Sequence, residues 1–510
     1  MDQVIESDRT HLVTRDLRRI SRHLSFRCKL ASLPPDLPPM IGRNCKWYLP
    51  CRHAIKRYRA WWLTNLALLL TTIVTTTVAF AAEPAFRGPL GTGPISDPIP
   101  PVRGLAPFDP MNFAATWNQR QVQNGINRWL ELNHGHQTAG FATDDLLVTL
   151  TKLATGSDQA QRAGLNALGG QVYATAQSVG VRIADDSLQV ISNRLINNAV
   201  FLNDGDAASL GQRSGGMTAS DPDLIIRGQP VMTTGNGWIQ GYGSTGYFGS
   251  DGNTASSDYN LGGLAYGLDL GRDDDGVIGI AGGNTFTSYG DDLGDHGNVN
   301  SFQIGLYAMK RLDSAYGFAV MNYGHNNNDI SRPINIGDQS VTASSSFVGH
   351  QFGSYGEAGL NLETGLFRWQ PFVGLQYVHI SNSQASENGA GGAGLDVAAG
   401  NLSTLQSHLG SRLILHRLTD SHGRRWTPYL STRWVSDWLG QQATSSASLS
   451  GAPGASWTVT GNVPGRNLGM FGPGLTVELT PGLSLFANYE YQWADMFHAH
   501  TGSGGLMLQF

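Results

Sequence analysis

From Trp238 onward, apolar residues recur at every second position over stretches too long for an ordinary soluble sheet. "NLGGLAYGLDL" sets Leu264, Tyr266, Leu268 and Leu270 on one face and Gly263, Ala265, Gly267 and Asp269 on the other. "RWQPFVGLQYVHI", "TLQSHLGSRLIL" and "SLFANYEYQW" alternate in the same way, and a period of two is that of a strand. Twelve such stretches begin near Trp238, Tyr259, Val277, Phe302, Tyr316, Phe347, Phe367, Leu405, Trp426, Met470, Leu483 and Gly502. Many run for about 10 to 15 residues, whereas strands of soluble sheets average about 5 to 6. A tilted strand needs roughly 9 to 11 residues to cross a bilayer.

The connections sort by length. "GRDDD", "RLDSA", "ETG" and "TDSHGR" are short, and "GDDLGDHGN", "NDISRPINIGDQSVTAS", "NSQASENGAGGAGLDVAAGN" and "GQQATSSASLSGAPGASWTVTGNVPGR" are long. Short turns on one rim and long loops on the other are the pattern of a bacterial outer-membrane barrel. A β-sandwich with these strands would expose rows of Tyr and Trp or bury rows of Gln, Glu and Arg. A barrel with lipid outside and water inside does neither, and its closure leaves no edge strand. Aromatic residues near strand ends, Trp238, Tyr307, Trp369, Trp426, Trp434, Trp438 and Trp493, suit girdles at the membrane surfaces. The expected fold class is all-β: a twelve-stranded transmembrane antiparallel β-barrel over residues 237–510, preceded by a short, mainly helical segment.

Parity assigns Asp269, Glu357, Arg412, Arg433 and Glu490 to the lumen-facing side. There they line a wet or helix-filled pore. At the other end of the alternation, "GGLMLQF" directs Leu506, Leu508 and Phe510 to lipid and Gly505, Met507 and Gln509 inward.

Composition divides the chain before the barrel is reached. Residues 1–81 hold 13 Lys+Arg against 5 Asp+Glu, and the remainder holds 21 against 34. After residue 81 only Lys152 and Lys310 remain of the lysines, which argues against a nucleic-acid partner. The three cysteines, Cys28, Cys45 and Cys51, all lie in the basic head, so the body has neither disulfides nor a thiolate metal site. "KRYRAWWLTNLALLLTTIVTTTVAFAAEP" supplies a basic region, an apolar run and an Ala79-Phe80-Ala81 site. It reads as an export signal for the inner-membrane translocase, cut between Ala81 and Ala82. The competing reading, an uncleaved membrane helix, is weakened by the threonines in its second half and by the small-residue site. Translation starts at Met1 or near Met40.

Between signal and barrel the period changes. Residues 82–110 are a Pro/Gly-rich linker, and residues 111–212 space apolar positions three and four apart, with helix starts at Thr143/Asp144 and Ser157/Asp158. A second linker covers 213–236.

"GWIQGYGSTGYFGSDGN", "YNLGGLAYGLDL", "NSFQIGLYAMKR", "QPFVGLQYVHI", the "SGAPGASWTVTGNVPGRN" loop and "LSLFANYEYQW" follow one another in the order of a known family. Residues 237–510 resemble the autotransporter β-domain, the translocator of type V secretion. The resemblance implies a barrel in the outer membrane that carries an upstream passenger to the cell surface, with a helix in its pore. The segment Asp185 to Phe201 is the expected pore helix. The resemblance also implies that Leu506, Leu508 and the terminal Phe510 are the signal read by the outer-membrane barrel-assembly machinery. The Asn197-Asn198 pair is similar to the inter-asparagine cleavage site of one subgroup, but its neighbours do not match that pattern. Passengers of this family are usually long β-solenoids, whereas here about 155 residues separate Ala82 from Trp238, without a repeat.

The remaining motifs carry little chemistry. "GAGGAG" (Gly389 to Gly394) follows a strand and opens no helix, and "GGAGLD" is a single unit of a calcium-binding repeat that needs several. "GRDDDG" and "DDLGDHGN" offer clustered carboxylates to a cation but read first as solvated turns. His134 and His136 with Asp144 and Asp145 lack metal-ligand spacing. With no serine elbow, phosphate loop or cysteine nucleophile, no enzyme activity and no cofactor are expected. Two readings compete: a translocator that exports or displays its own short N-terminal segment, and an outer-membrane channel in which the helical zone is a periplasmic or plug domain. A third, an exported enzyme sited in the helical zone, has no motif behind it.

Overall fold

The computed structural model describes residues 112–133, 144–201 and 236–509, apart from 274, 366, 416–417 and 481. The signal residues Ala79, Ala81 and Ala82, the linker 82–110, residues His134 and His136, most of the second linker and Phe510 lie outside the described residues.

Twelve antiparallel strands form the wall: β1 (Asn236–Phe248), β2 (Ser257–Arg272), β3 (Gly276–Asp291), β4 (His296–Leu312), β5 (Ala315–Ile336), β6 (Gln339–Leu360), β7 (Phe367–Asn382), β8 (Gly400–Leu415), β9 (Arg425–Asp437), β10 (Asn467–Thr480), β11 (Leu483–Ala494) and β12 (Phe497–Gln509). Each pairs with its sequence neighbour, and β1 pairs with β12 from Asn236↔Gln509 to Phe248↔Phe497, which closes the barrel. Short turns follow β2, β4, β6, β8 and β10, so β1 begins at the short-turn rim and ends at the opposite one.

The two faces meet different solvents. Leu264, Tyr266, Leu268 and Leu270 point outward and stay exposed, as do Ile278, Ile304, Leu306, Val373, Leu409 and Leu413. Leu506 and Leu508 are exposed on β12, while Met507 between them is buried. Trp369, Trp434, Trp438 and Trp493 are exposed near strand ends, where indole suits a membrane surface. Trp238 and Tyr307, expected in those girdles, instead turn inward and are buried, the indole Nε1 donating to the Tyr307 hydroxyl at 3.0 Å. Their facing residues explain this. Trp238 lies opposite Gly267 and Tyr307 opposite Gly279, so each ring lies across a facing residue that has no side chain.

This inward aromatic-on-glycine pairing recurs at Tyr242–Gly263, Tyr259–Gly246 and Tyr429–Gly474. It accounts for much of the glycine, which yields space for rings that brace neighbouring strands.

Two long connections also depart from expectation. "NDISRPINIGDQSVTAS" is not a loop but the upper ends of β5 and β6, which run as a paired ribbon to a turn at Gly337, φ +63°. Its alternating Ile330, Ile334 and Ile336 are all buried, which is why the strands continue past the bilayer. The other long loops contribute a second, four-stranded sheet, ordered Ala452–Thr460, Thr444–Leu449, Leu395–Val397 and Ala385–Ser386. These strands are too short, and too rich in Ser, Ala and Gly, to announce themselves by hydropathy.

Four helices precede the wall: α1 (Trp117–Asn133), α2 (Asp144–Thr155), α3 (Asp158–Gly169) and α4 (Gln171–Phe201). Ser157 caps α3 by accepting from the Ala160 amide, and Gly170 at φ +70° makes the break before α4 that a residue with Cβ rarely adopts. Val122, Ile126, Leu146, Leu150, Leu165 and Leu168 of α1–α3 are buried with Ile336, Leu395, Trp457 and Val459 of the long-loop rim, so a small apolar core sits on top of the barrel.

A bulky side chain at Gly263 would run into the Tyr242 ring, which occupies the space where its Cβ would stand. Gly263→Val is expected to destabilise the barrel by about 1–3 kcal/mol, as overpacking does. Tyr242→Ala in the same chain recovers part of that loss; urea midpoints of the folded barrel in detergent, over the four-variant cycle, measure the coupling.

Candidate functional site: the helix-filled lumen

At 1.5 Å per residue the 31-residue helix α4 is about 46 Å long, more than the hydrocarbon core of a bilayer. It runs from one rim to the other. Near its start, the Gln171 side chain exchanges bonds with the Ala255 backbone, Gln177 donates to the Thr444 carbonyl at 2.7 Å and Ser178 to that of Asn462, all on long-loop segments. Near its end, Arg194 reaches Asp269 beside the β2–β3 turn, and Asn197 accepts from Thr476 near the β10–β11 turn. The helix is thus longer than the expected Asp185 to Phe201, by most of four turns at its start. Asn197, the first of the asparagine pair, is fully buried within it.

Burying a helix in a pore requires a partner for every charge it carries. Arg182, 2% exposed, donates to Asp185 at 3.1 Å, to Gln492 of β11 at 2.9 Å and to the Tyr259 hydroxyl of β2 at 3.2 Å, with Asp186 at 3.5 Å. Asp185 also accepts from Gln376 of β7 at 2.7 Å. Asn322 of β5 donates to Ser187 at 2.8 Å. Arg194, wholly buried, forms a 3.1 Å ion pair with Asp269, which the Tyr307 hydroxyl supports at 2.7 Å. At the top, the Tyr173 hydroxyl donates to Glu387 at 2.9 Å, and Glu387 is held in turn by Arg332 of β5. Small residues let the surfaces close: Gly180 packs on Ile380, Ile191 on Gly305 and Leu188 on Gly353.

Of the five residues placed on the lumen side by parity, Asp269 alone meets the helix through a hydrogen bond or ion pair. Glu357 and Arg412 pair with each other through two bonds of 2.6 and 2.8 Å. The hydroxyls of Tyr316 and Tyr355 donate to Glu357 at 2.8 and 2.7 Å, and the Phe372 ring lies 4.0 Å from the guanidinium. Arg433 pairs with Glu490. These four brace β6, β8, β9 and β11 across the wall. The helix-side partners Tyr173, Arg182 and Arg194 were not singled out from sequence, although two arginines in an otherwise buried helix were the signal that could have found them. Between α4 and β8–β11 a polar cavity remains, of about 50 Å³, lined by Arg182, Gln189, His408, Arg433 and Glu490 among others.

Residues 237–490 match the autotransporter β-domain family. The barrel is an autotransporter β-domain. It is therefore a translocator barrel of the outer membrane, and that domain is not a catalytic one. An extracellular serine protease of Serratia marcescens is 28% identical over 227 residues, 44% of this chain. This chain spans about a fifth, 21%, of that protein's length. Among solved structures, the translocator domain of autotransporter NalP from Neisseria meningitidis is similar at 17% identity and a TM-score of 0.48, covering 67% of this chain and 100% of its own. The transport unit of AIDA-I from Escherichia coli is similar at 18% identity and a TM-score of 0.41, covering 60% of this chain and 98% of its own.

Breaking a buried ion pair leaves an uncompensated charge. Arg194→Met in the autotransporter barrel is expected to cost about 3 kcal/mol by that argument, and Arg194→Met/Asp269→Asn much less. Urea unfolding gives the energies, and planar-bilayer recordings of the single variant should show larger or more frequent current steps as the lower end of α4 loosens.

Proposed function

We propose that this translocator exports its own short N-terminal segment and keeps it on the cell surface as a fixed cap over the pore. The single observation behind this reading is direction. Short turns face the periplasm and long loops the outside in outer-membrane barrels; α4 starts at the long-loop rim and ends at the short-turn rim, where β1 begins, and α1–α3 pack on the outer rim. Asn118 exchanges bonds with the Thr460 backbone at 2.9 Å each way, Trp457 donates to the Gly169 carbonyl at 3.1 Å, Asp145 accepts from the Gly392 amide at 2.8 Å and Lys152 pairs with Asp338 at 2.6 Å. Such anchoring suits a retained cap rather than a released cargo.

On this reading the chain divides into an N-terminal region with its signal (1–81), a linker (82–110), the cap and pore helix (111–212), a return linker (213–236) and the barrel (237–510). The inner-membrane translocase exports it, the signal is cut between Ala81 and Ala82 (with Ala79 in the site), and the barrel-assembly machinery reads Leu506, Leu508 and Phe510. No protease activity is carried over from the Serratia marcescens relative, because so little of that protein is spanned; the cargo is the cap itself.

Cysteines occur only in residues 1–81, so labelling is clean. Asp158→Cys at the exposed start of α3 should react with a membrane-impermeant maleimide on intact cells, while Ser421→Cys in the β8–β9 turn should react only after permeabilisation. The reverse pattern would identify a periplasmic plug domain and establish the channel reading instead. Deleting Phe510 should lower the yield of heat-modifiable barrel in the outer membrane; an unchanged yield would remove the assembly role of that residue.

A further inference from the structure

The acidic turn "DDLGDHGN" closes the β3–β4 hairpin on the long-loop rim. Gly294 takes φ +90° there, and the Asp291 amide donates to the Asp295 carbonyl at 3.0 Å. Because Gly290 pairs with His296, Asp291 and Asp295 stand directly opposite each other on the inner side. One oxygen of Asp291 accepts from the amides of Leu293 and Asp295, both at 3.0 Å. Its other oxygen is buried without a partner, and so are both carboxylate oxygens of Asp295, a residue only 2% exposed.

Two hydroxyls beside the pair are in the same condition. Ser257 of β2 lies across from Asp291 and is 2% exposed; Tyr289, one inward position below Asp291, is 4% exposed and its ring lies over Gly297, one inward position below Asp295. Neither hydroxyl has a partner. The cation in that neighbourhood is Arg332, already matched by two bonds to Glu387 and a third to the Ala167 carbonyl of the cap. Two carboxylates thus face each other in a buried place among five unpartnered oxygens, and neither an amide nor a cation is bonded to any of the five. Burial without compensation on this scale is costly.

The contrast with "GRDDDG" is informative. There Asp273 and Asp275 are exposed and matched by Lys310 at 2.8 Å and Arg311 at 3.9 Å, as in a solvated turn. Among the described residues no three His, Cys, Asp or Glu side chains converge as a metal site, so the β3–β4 cluster is a two-carboxylate, two-hydroxyl set. An all-oxygen set carrying two negative charges selects a hard divalent cation, and its irregular arrangement suits the flexible shell of calcium better than the octahedron of magnesium.

We propose that Asp291, Asp295, Tyr289 and Ser257 form a calcium site that locks the cap to the outer rim. The coupling runs through Arg332. Beside Asp295, this residue holds the cap at Ala167 and orients Glu387, which accepts from Tyr173 of the pore helix. Neutralising the two aspartates lets Arg332 serve Glu387 and the cap.

The test uses the full chain folded in detergent and stripped of divalent ions. Calcium chloride should bind in calorimetry with one site and raise the Tm. In Asp291→Asn/Asp295→Asn the affinity should fall at least tenfold and the Tm should no longer respond to calcium, while Asp273→Asn/Asp275→Asn behaves as the parent. Heat-modifiability shows whether each variant has folded; should the double Asn variant not fold, Tyr289→Phe replaces it, with a severalfold loss of affinity expected. Protection of α1–α3 from trypsin should rise with calcium in the parent alone. No calcium response in the parent, or an equal response in the folded Asn variant, would overturn the site; in the first case the two aspartates share a proton instead.

Discussion

Lipid offers no hydrogen bonds, so each backbone amide and carbonyl at membrane depth must find its partner within the sheet. That constraint makes β12 return to β1 along all thirteen residues of β1, from Asn236↔Gln509 to Phe248↔Phe497. Closure then creates a second constraint, an interior. Its wall is lined by Asp269, Glu357, Arg412 and Glu490 at one level or another, and by rings that lie across facing glycines. The wall and its filling are therefore solved together: Asp269 needs Arg194, and Glu357 needs Arg412 and two tyrosines.

A filled lumen explains why the helix is so polar. Arg182, Asp185, Asp186 and Arg194 would be ruinous in an apolar core, yet each stands beside a counter-charge or a wall amide. Pairs of this kind add little net stability over apolar packing but strongly penalise a shifted register. They fix where the helix stops in the pore. Above the bilayer the logic reverts to that of a soluble protein, with Leu150, Leu165 and Trp457 packed in an ordinary apolar core between cap and loops.

Much of the barrel was legible because its two faces meet two solvents. Leu264, Leu409 and Leu506 alternate with buried neighbours for that reason, and the same parity put Asp269, Glu357, Arg412 and Glu490 on the inner side, where they are buried. Parity failed to be applied to Trp238 and Tyr307, which were placed by residue type at strand ends; their opposite numbers, Gly267 and Gly279, carried the correcting signal. The β5–β6 ribbon was missed because Pro333 and the run of Asn and Asp mimic a loop, and the small outer sheet because its strands are held by the helices they pack on. Similarly, the two acidic turns look alike as strings. Only their surroundings separate the exposed, paired Asp273 from the buried, unpaired Asp295.

What the sequence by itself determined is the set of local and periodic properties: twelve long alternating strands, the helical zone and the sidedness of most wall residues. These follow from hydropathy at a period set by backbone geometry, which needs no knowledge of neighbours. What only the tertiary structure decided is which groups meet across the lumen and on which rim the cap rests. Arg194 with Asp269 is separated by 75 residues and Asn118 with Thr460 by 342, and no period in a chain records a contact made when a sheet closes around a helix.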